Sequence, residues 1–187
     1  TINTGTGDDV ININSLATNE NISPGMLNPG DVNVSSYGSY GSSINTGSGD
    51  DSININASSV SLRTDLWGWE SREIGLGQSE AVGLEKSTIN TGSGDDKVKI
   101  SAYSFGTDTN SWAIRDSSID TGIGNDTVIL NASDLAVSIG QAFEPAYGAV
   151  NSSINLGSGD DSLFINASGE ALSIGWSWDQ SALAAAY

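Results

Sequence analysis

A short pattern that this chain repeats five times limits its fold more than any other feature. The clearest copy is SSINTGSGDDSININAS at residues 42–58. The other copies begin at residues 1, 87, 117 and 152 and read TINTGTGDDVININS, STINTGSGDDKVKISA, SSIDTGIGNDTVILNAS and SSINLGSGDDSLFINAS. Each copy predicts a short strand, a tight corner at GxGDD or GxGND, and a second strand. Self-similarity of this kind is typical of repeat architectures.

Polar and apolar residues alternate on both sides of the corner, which is the period of a half-buried strand. In the second copy we expect Ile44, Thr46, Ile53 and Ile55 to point inward and Asn45 to point outward. Equivalent inward positions are Ile2, Ile44, Ile89, Ile119 and Ile154 before the corner, and Ile13, Ile55, Ile100, Leu130 and Ile165 after it. These residues stack if the repeats lie one above another, because each repeat needs a neighbour to bury its apolar face. The outward column predicts a ladder of side-chain hydrogen bonds along Asn3, Asn45, Asn90, Asp120 and Asn155.

The sequence therefore predicts an all-β fold, a parallel β-solenoid of the β-helix or β-roll kind with about five rungs and variable loop or hairpin excursions. Residues 1–187 form a single segment, with repeats at about 1–41, 42–86, 87–116, 117–151 and 152–187.

The third side of each rung is variable in sequence. The connection from residue 16 to Tyr40, which contains Pro24 and Pro29, has the composition of a loop. The alternation at Val60 and Leu62 predicts a third strand before a protruding hairpin around Gly68. The segments VSIG at 137–140 and LSIG at 172–175 predict equivalent third strands in the fourth and fifth rungs. The segment SALAAAY at the end could form a helical turn.

Two glycines and two acidic residues meet at nearly every corner. Because glycine has no Cβ, it can adopt positive φ and let main-chain carbonyls turn toward one point. If the corners stack in line, equivalent carboxylates lie about 4.8 Å apart and repel by about 1 kcal/mol per pair in water, and by more in a drier site. A calcium ion takes six to eight oxygens at about 2.3–2.6 Å, so one ion between two rungs can be reached from both. The pattern predicts a cation; the simpler alternative is that Gly and Asp are only good turn formers.

The corner resembles the calcium-binding nonapeptide GGxGxDxUx of the RTX (repeats-in-toxin) proteins, in which U is a large apolar residue. TGSGDDSIN at 46–54 fits with Thr46 in place of the first glycine, and TGTGDDVIN, TGSGDDKVK, TGIGNDTVI and LGSGDDSLF fit likewise. The resemblance implies that loop carbonyls and the second acid of each pair bind calcium, namely Asp9, Asp51, Asp96, Asp126 and Asp161.

The remaining candidate site residues are the first member of each pair, Asp8, Asp50, Asp95, Asn125 and Asp160, and the glycines Gly5, Gly7, Gly47, Gly49, Gly92, Gly94, Gly122, Gly124, Gly157 and Gly159. The first glycine of the RTX pattern is always absent, and the motifs are 30 to 45 residues apart. We therefore expect a single file of about four to five calcium ions along one edge, and not a compact β-roll with ions on both edges.

Charge and composition limit the kinds of partner that the chain can bind and the compartment in which we expect it. The chain has 6 Lys and Arg against 23 Asp and Glu, a net charge of −17, with no His and no Cys. This sign disfavours binding to nucleic acid or to an anionic membrane. No apolar run approaches the roughly 18 to 20 residues of a membrane span. We expect a secreted protein, extracellular or at the cell surface, where calcium is millimolar, and we interpret the start at Thr1 as a mature product or a piece of something longer.

An enzyme is not expected, because without His and Cys the usual Ser and Cys nucleophile systems lack their base. Aromatic residues occur in the variable arms. They could cover the open third side of the core, bind an extracellular polysaccharide or make lateral contacts between fibres. These residues are Trp67, Trp69, Trp112, Phe143, Tyr147, Trp176 and Trp178.

The spacing of the repeats suggests a partner. Gly5, Gly47, Gly92, Gly122 and Gly157 are 42, 45, 30 and 35 residues apart, and a second copy placed directly after Tyr187 would continue at 35. We therefore expect the chain to stack on itself head to tail, as tandem repeats or as docked subunits. The predicted function is an extracellular calcium-stabilised structural repeat, one period of a stacked fibre or surface filament. The alternative is a spacer or carbohydrate-binding module of a large secreted RTX-like adhesin.

Overall fold

The computed structural model describes residues 1–23, 33–65, 77–106, 108–138, 145–173 and 183–185. These residues form the strands β1 (Ile2–Thr6), β2 (Val10–Ser23), β3 (Asn33–Tyr40), β4 (Ser43–Ser48), β5 (Ser52–Asp65), β6 (Gln78–Glu85), β7 (Thr88–Asn90), β8 (Lys97–Gly106), β9 (Asp108–Arg115), β10 (Ser118–Asp120), β11 (Thr127–Ser138), β12 (Pro145–Val150), β13 (Ser153–Asn155), β14 (Ser162–Ser173) and β15 (Leu183–Ala185). The all-β prediction is confirmed. This part of the chain contains no helix that is long and apolar enough to cross a membrane.

The strands form three parallel sheets. Within each sheet, a strand is hydrogen-bonded to the strands that lie three places before and after it in the chain. The first sheet has the order β1-β4-β7-β10-β13, the long sheet β2-β5-β8-β11-β14, and the third sheet β3-β6-β9-β12-β15. One strand from each sheet, taken in chain order, makes a rung, so the five rungs follow the order of the repeats. This topology is consistent with the solenoid-like coil that the sequence predicts.

Equivalent residues of the five repeats lie side by side. In the first sheet Ile2 pairs with Ile44 and Ile44 with Ile89; in the long sheet Ile13 pairs with Ile55 and Ile55 with Ile100. Each column of identical residues in the sequence is therefore a column in space, and the acidic corners between the two sheets are stacked as well.

Aliphatic side chains of all three sheets form the main core. Ile44, Ile55 and Ile100 are almost fully buried, and so is Thr46, whereas Asn45 is exposed; the predicted alternation is confirmed. A smaller cluster consists of Ala57 and Ala102, further along the long strands, and Ala81 of β6, next to buried serines such as Ser59. The core thus changes from large to small side chains along each long strand.

Several predictions for the third side are wrong. Val60 and Leu62 belong to β5, which runs on to Asp65, and the VSIG and LSIG segments begin within β11 and β14. Two parts of the loop expected from residue 16 to Tyr40 are strands, residues 16–23 in β2 and residues 33–40 in β3, and three residues of SALAAAY form β15. The hairpin around Gly68, and Pro24 and Pro29, lie outside the described residues.

A second kind of corner joins each third-sheet strand to the next rung. Its first residue, Gly41, Lys86, Asp116 or Asn151, has φ between 48° and 60°, and a serine follows. The main-chain N–H of Ser42 donates to Oγ of Ser87 at 2.9 Å, and the same bond joins Ser87 to Ser117 and Ser117 to Ser152 at 3.1 Å. This serine ladder was not foreseen, although a serine precedes the repeated strand in four copies.

Candidate metal centre

The acidic corners, which join first-sheet strands to long-sheet strands, require glycine for two reasons. All ten glycines named above have positive φ, from 78° at Gly157 to 149° at Gly124, as expected. In addition, a Cβ on Gly47 would overlap the carbonyl oxygen of Gly5, and a Cβ on Gly92 would overlap that of Gly47. Successive corners therefore approach each other through their bare main chains.

The second acid of each pair points toward the interior. We call these residues the inner acids: Asp9, Asp51, Asp96, Asp126 and Asp161. Asp51 and Asp96 are 2% exposed and Asp126 is 1% exposed. The main-chain N–H of each of the first four inner acids donates to Oδ1 of the inner acid in the next rung, at 2.8–2.9 Å throughout. The inner carboxylates thus tie each corner to the preceding one.

The first member of each pair is exposed and makes the opposite connection. These outer residues are Asp8, Asp50, Asp95, Asn125 and Asp160. Each of the first four accepts, through Oδ1, the main-chain N–H of the outer residue in the following rung, at 2.8–3.0 Å. In addition to main-chain bonds, neighbouring corners are therefore joined by these two kinds of hydrogen bond, which run in opposite directions. The structure brings both predicted sets of residues to one edge of the molecule.

One oxygen of the inner carboxylates remains without a partner. Oδ2 of Asp9, Asp51, Asp96 and Asp126 is buried and accepts no hydrogen bond. Leaving a buried acceptor unpaired costs about 1–3 kcal/mol, and more if the group is charged. A proton, an ordered water or a cation beside these four oxygens would offset that cost.

The pKa of Asp96, in the central corner, also favours a proton or a cation at this site. Burial raises the pKa of Asp96 above its ordinary value of 3.8, and the charges of Asp51 and Asp126 raise it further, while the nearby Thr91 hydroxyl and the main-chain N–H of Asp51 lower it. The buried site around Asp96 therefore disfavours negative charge and favours a nearby positive charge.

The glycine carbonyls that the resemblance implies as ligands already accept hydrogen bonds between rungs. The carbonyl oxygen of Gly47 accepts the N–H of Ser93 at 3.1 Å, and that of Gly92 accepts the N–H of Ile123 at 2.9 Å. A carbonyl oxygen has a second lone pair, so these groups can still contact an ion.

The donors at the corners suit a hard cation. They are carboxylate, hydroxyl and carbonyl oxygens, which are the ligands that calcium prefers. Among the described residues, however, no three or more acidic side chains come together as a metal-binding group. A calcium ion here would take carboxylate oxygens from two rungs at most and complete its shell with main-chain carbonyls and water.

The described aromatic residues of the arms pack against the protein itself. The guanidinium of Arg115 lies 4.4 Å from the ring centroid of Trp112, and Tyr147 stacks on Trp112 at 5.8 Å. Arg115 pairs with Glu80 and Glu85 of the preceding rung, while Tyr147 belongs to the following rung, so both faces of the indole are covered. The other arm residues, Trp67, Trp69, Phe143, Trp176 and Trp178, lie outside the described residues.

Side-chain amides form ladders, though mainly in an unexpected place. In the predicted first-sheet column, Nδ2 of Asn155 donates to Oδ1 of Asp120 at 3.1 Å. On the outward face of the long sheet, Nδ2 of Asn56 donates to Oδ1 of Asn14 at 2.8 Å, and Nδ2 of Asn166 donates to Oδ1 of Asn131 at 3.0 Å.

Comparison of the chain with protein-family models, with curated proteins and with solved structures found no match.

Proposed function

We propose that this chain is a segment of a parallel β-solenoid that calcium stabilises, and that it serves as an extracellular structural repeat in a stacked fibre or surface filament. The observation that carries the proposal is the column of buried, unpaired Oδ2 atoms on Asp9, Asp51, Asp96 and Asp126. Their register follows from the parallel pairing of the rungs, so one kind of ion would serve every corner.

Calcium fits the spacing of the rungs. Neighbouring parallel strands lie about 4.8 Å apart, which is close to twice a calcium–oxygen distance of about 2.4 Å. One ion between successive inner acids would contact Oδ2 of both, so five corners would hold about four ions. The ion supplies positive charge in the corner, and the protein supplies oxygens that are already fixed by the Oδ1 hydrogen bonds.

Calorimetric titration of calcium into the metal-free chain, together with thermal unfolding, tests this proposal. We expect about four ions per chain and a melting temperature that rises with calcium, because a ligand that binds the folded state stabilises it by mass action. Magnesium should have a smaller effect, since it demands a tighter octahedral shell. Equal melting with and without calcium would refute the calcium part of the proposal.

The two ends of the stack support assembly into a longer coil. Ile2 is 38% exposed in rung 1, whereas its equivalents Ile44 and Ile89 are 1% exposed. Leu163 of rung 5 is 42% exposed, although its equivalent Val128 is fully buried. A further rung on either side would cover these side chains and pair the free sheet edges. Electron microscopy should therefore show filaments in calcium that shorten or disappear in a chelator.

The alternative, a carbohydrate-binding module of an adhesin, has less support among the described residues. A sugar ring would stack on an open aromatic face, but Arg115 and Tyr147 occupy both faces of Trp112. We propose no enzymatic role.

A further inference from the structure

The outward face of the long sheet is almost free of net charge, although the chain as a whole carries −17. We call it the long-sheet face; it consists of the even-numbered residues of 10–20, 52–62 and 162–172 and the odd-numbered residues of 97–105 and 127–137. Only four of these side chains are charged, Lys97, Lys99, Glu20 and Glu170, and their charges cancel. The acidic residues of the corners lie on a different edge.

The long-sheet face also carries much of the apolar surface that the rest of the fold does not cover. Val10, Leu16, Tyr103, Phe164 and Leu172 are between 38% and 71% exposed. They occur in rungs 1, 3 and 5, so apolar side chains extend over the whole height of the sheet. A large apolar patch with polar surroundings marks an interaction surface in most soluble proteins.

Several polar side chains of this face are hydrogen-bonded to one another along the stack, although the buried Oδ1 of Asn54 has no partner. In addition to the two asparagine pairs described above, Nδ2 of Asn54 reaches Oδ1 of Asn12 at 3.5 Å, and Oγ of Ser168 reaches Oγ of Ser133 at 3.4 Å. Polar groups that keep a partner lose less free energy when water is removed from them. Covering this face is therefore less costly than covering a free polar surface.

The area of the face matches that of a stable interface. A strand of 12 residues such as β11 is about 40 Å long, and five strands are about 24 Å wide. The product, roughly 960 Å², is of the same size as the roughly 800 Å² that each partner contributes to a standard protein–protein interface.

The charges of the face are arranged symmetrically about its middle. If the register position of Ser52 is counted as 1, Lys97 and Lys99 stand at positions 1 and 3, and Glu170 and Glu20 at positions 9 and 11. A two-fold axis parallel to the stack exchanges position 1 with 11 and position 3 with 9. An isologous interface needs such self-complementarity.

We propose that the long-sheet face binds the same face of a second copy of this chain, related by a two-fold axis parallel to the stack. Each lysine then faces the glutamate end of its partner, two rungs or about 10 Å away along the stack. The other two-fold arrangement, with its axis along the strands, would place lysines over lysines. Lateral pairing is independent of calcium at the corners and of head-to-tail stacking.

Small-angle X-ray scattering over a concentration series, with the chain in calcium, tests this proposal. Lateral pairing increases the cross-sectional mass of the particle, whereas end-to-end stacking increases its length at constant cross-section. We expect the cross-sectional mass of the wild-type chain to double as concentration rises. A cross-section that stays that of one chain up to millimolar concentration would overturn lateral pairing, whatever the calcium titration shows.

Substitutions locate the interface. Tyr103→Glu puts a charge in the middle of the face and should weaken pairing by about 100-fold, because uncompensated charge in an interface costs several kcal/mol. Tyr40→Glu is the matched control: Tyr40 is 56% exposed on the third sheet, so the same change there should leave pairing intact. Equal effects of the two variants would overturn the assignment of the face.

The double substitution Lys97→Gln/Lys99→Gln tests the orientation. In the proposed arrangement it removes attraction to the glutamates and weakens pairing by several-fold, whereas with lysines over lysines it would strengthen pairing. The face could instead hold a polysaccharide. Binding to chitin or cellulose particles that Tyr103→Glu abolishes, in a chain whose cross-section never doubles, would replace our proposal with that one.

Discussion

At the scale of single residues, the inner aspartates have two separate roles. Oδ1 accepts the main-chain N–H of the preceding corner, and Oδ2 is left buried and unpaired. The first role could be filled by asparagine, as Asn125 shows in the outer column, where its Oδ1 accepts the N–H of Asp160 at 3.0 Å. Only the second role, in our proposal, requires a carboxylate.

The substitution Asp96→Asn separates these roles. It keeps an Oδ1 acceptor and removes the buried charge, so we expect metal-free protein to gain roughly 1 kcal/mol of stability. In calcium the variant should lose stability relative to wild type and bind fewer ions. Asp95→Asn is the matched control at the neighbouring exposed position and should change calcium binding much less. Urea unfolding with and without calcium measures both; equal loss of stability in both conditions would contradict the assignment.

The pH dependence of metal-free protein tests the same residue. Because burial raises the pKa of Asp96 above 3.8, the folded state holds this proton more tightly than the unfolded state does. Its contribution to stability is complete below the unfolded pKa and is lost as pH rises through the folded pKa. Urea unfolding between pH 7 and pH 4 should therefore show stability rising toward acid, less steeply for Asp96→Asn. Identical slopes for the two proteins would contradict this.

At the scale of strands, the sequence predicts two of the three sheets. The repeated motif contains the first-sheet strands, the acidic corners and the start of the long strands, because large inward Ile residues alternate there with Asn. The third sheet escaped prediction because many of its inward residues are small, such as Ser36, Ala81, Ser111 and Ala146. In a sequence, small residues such as Ser and Ala suggest a loop when the residues they pack against are unknown. For the same reason the long strands were expected to end too early.

One signal for the third sheet was present in the sequence. Gly38, Gly83 and Gly148 stand nine residues before the first corner glycine of the following repeat. A Cβ at these positions would overlap Cγ2 of Ile55, Ile100 and Ile165, respectively. In the remaining rung the equivalent residue is Ala113, and Leu130, which has no Cγ2, occupies the position of the isoleucine.

This covariation gives a prediction for β12. Gly148→Ala should destabilise the chain by about 1–3 kcal/mol, since the new methyl group overpacks against Ile165. Ile165→Leu alone should cost less than about 1.5 kcal/mol. The double variant should be more stable than the sum of the two single effects implies, because it recreates the Ala113–Leu130 combination. A double-mutant cycle by urea unfolding measures the coupling; strict additivity would show that the contact does not matter.

At the scale of the whole molecule, the acidic edge is a continuous column that any added rung would extend. The inner and outer ladders run in opposite directions. A second copy at either end would therefore complete one bond of each kind. Because adjoining rungs are alike, five motifs are enough to predict much of the fold. For the same reason, the first and last rungs of the stack are complementary to each other.

The substitution Gly5→Ala tests head-to-tail assembly. A Cβ on Gly5 meets nothing within 4 Å, whereas at the equivalent Gly47 it would overlap the carbonyl of the preceding rung. The single chain should therefore bear only the backbone strain of φ +105°, about 1–3 kcal/mol, but a second copy could no longer stack below rung 1. Gly41→Asn is the control, because Asn151 already occupies the equivalent corner. Electron microscopy should show filaments for the control and none for Gly5→Ala; long filaments from both would contradict stacking through this end.

The position of calcium in a crystal tests the central proposal most directly. Crystals grown in calcium and measured for anomalous scattering should show a row of about four peaks, each beside Oδ2 of two successive inner acids and about 4.8 Å from the next. Anomalous maps that show no peaks along this column, with the five corners still stacked, would contradict it.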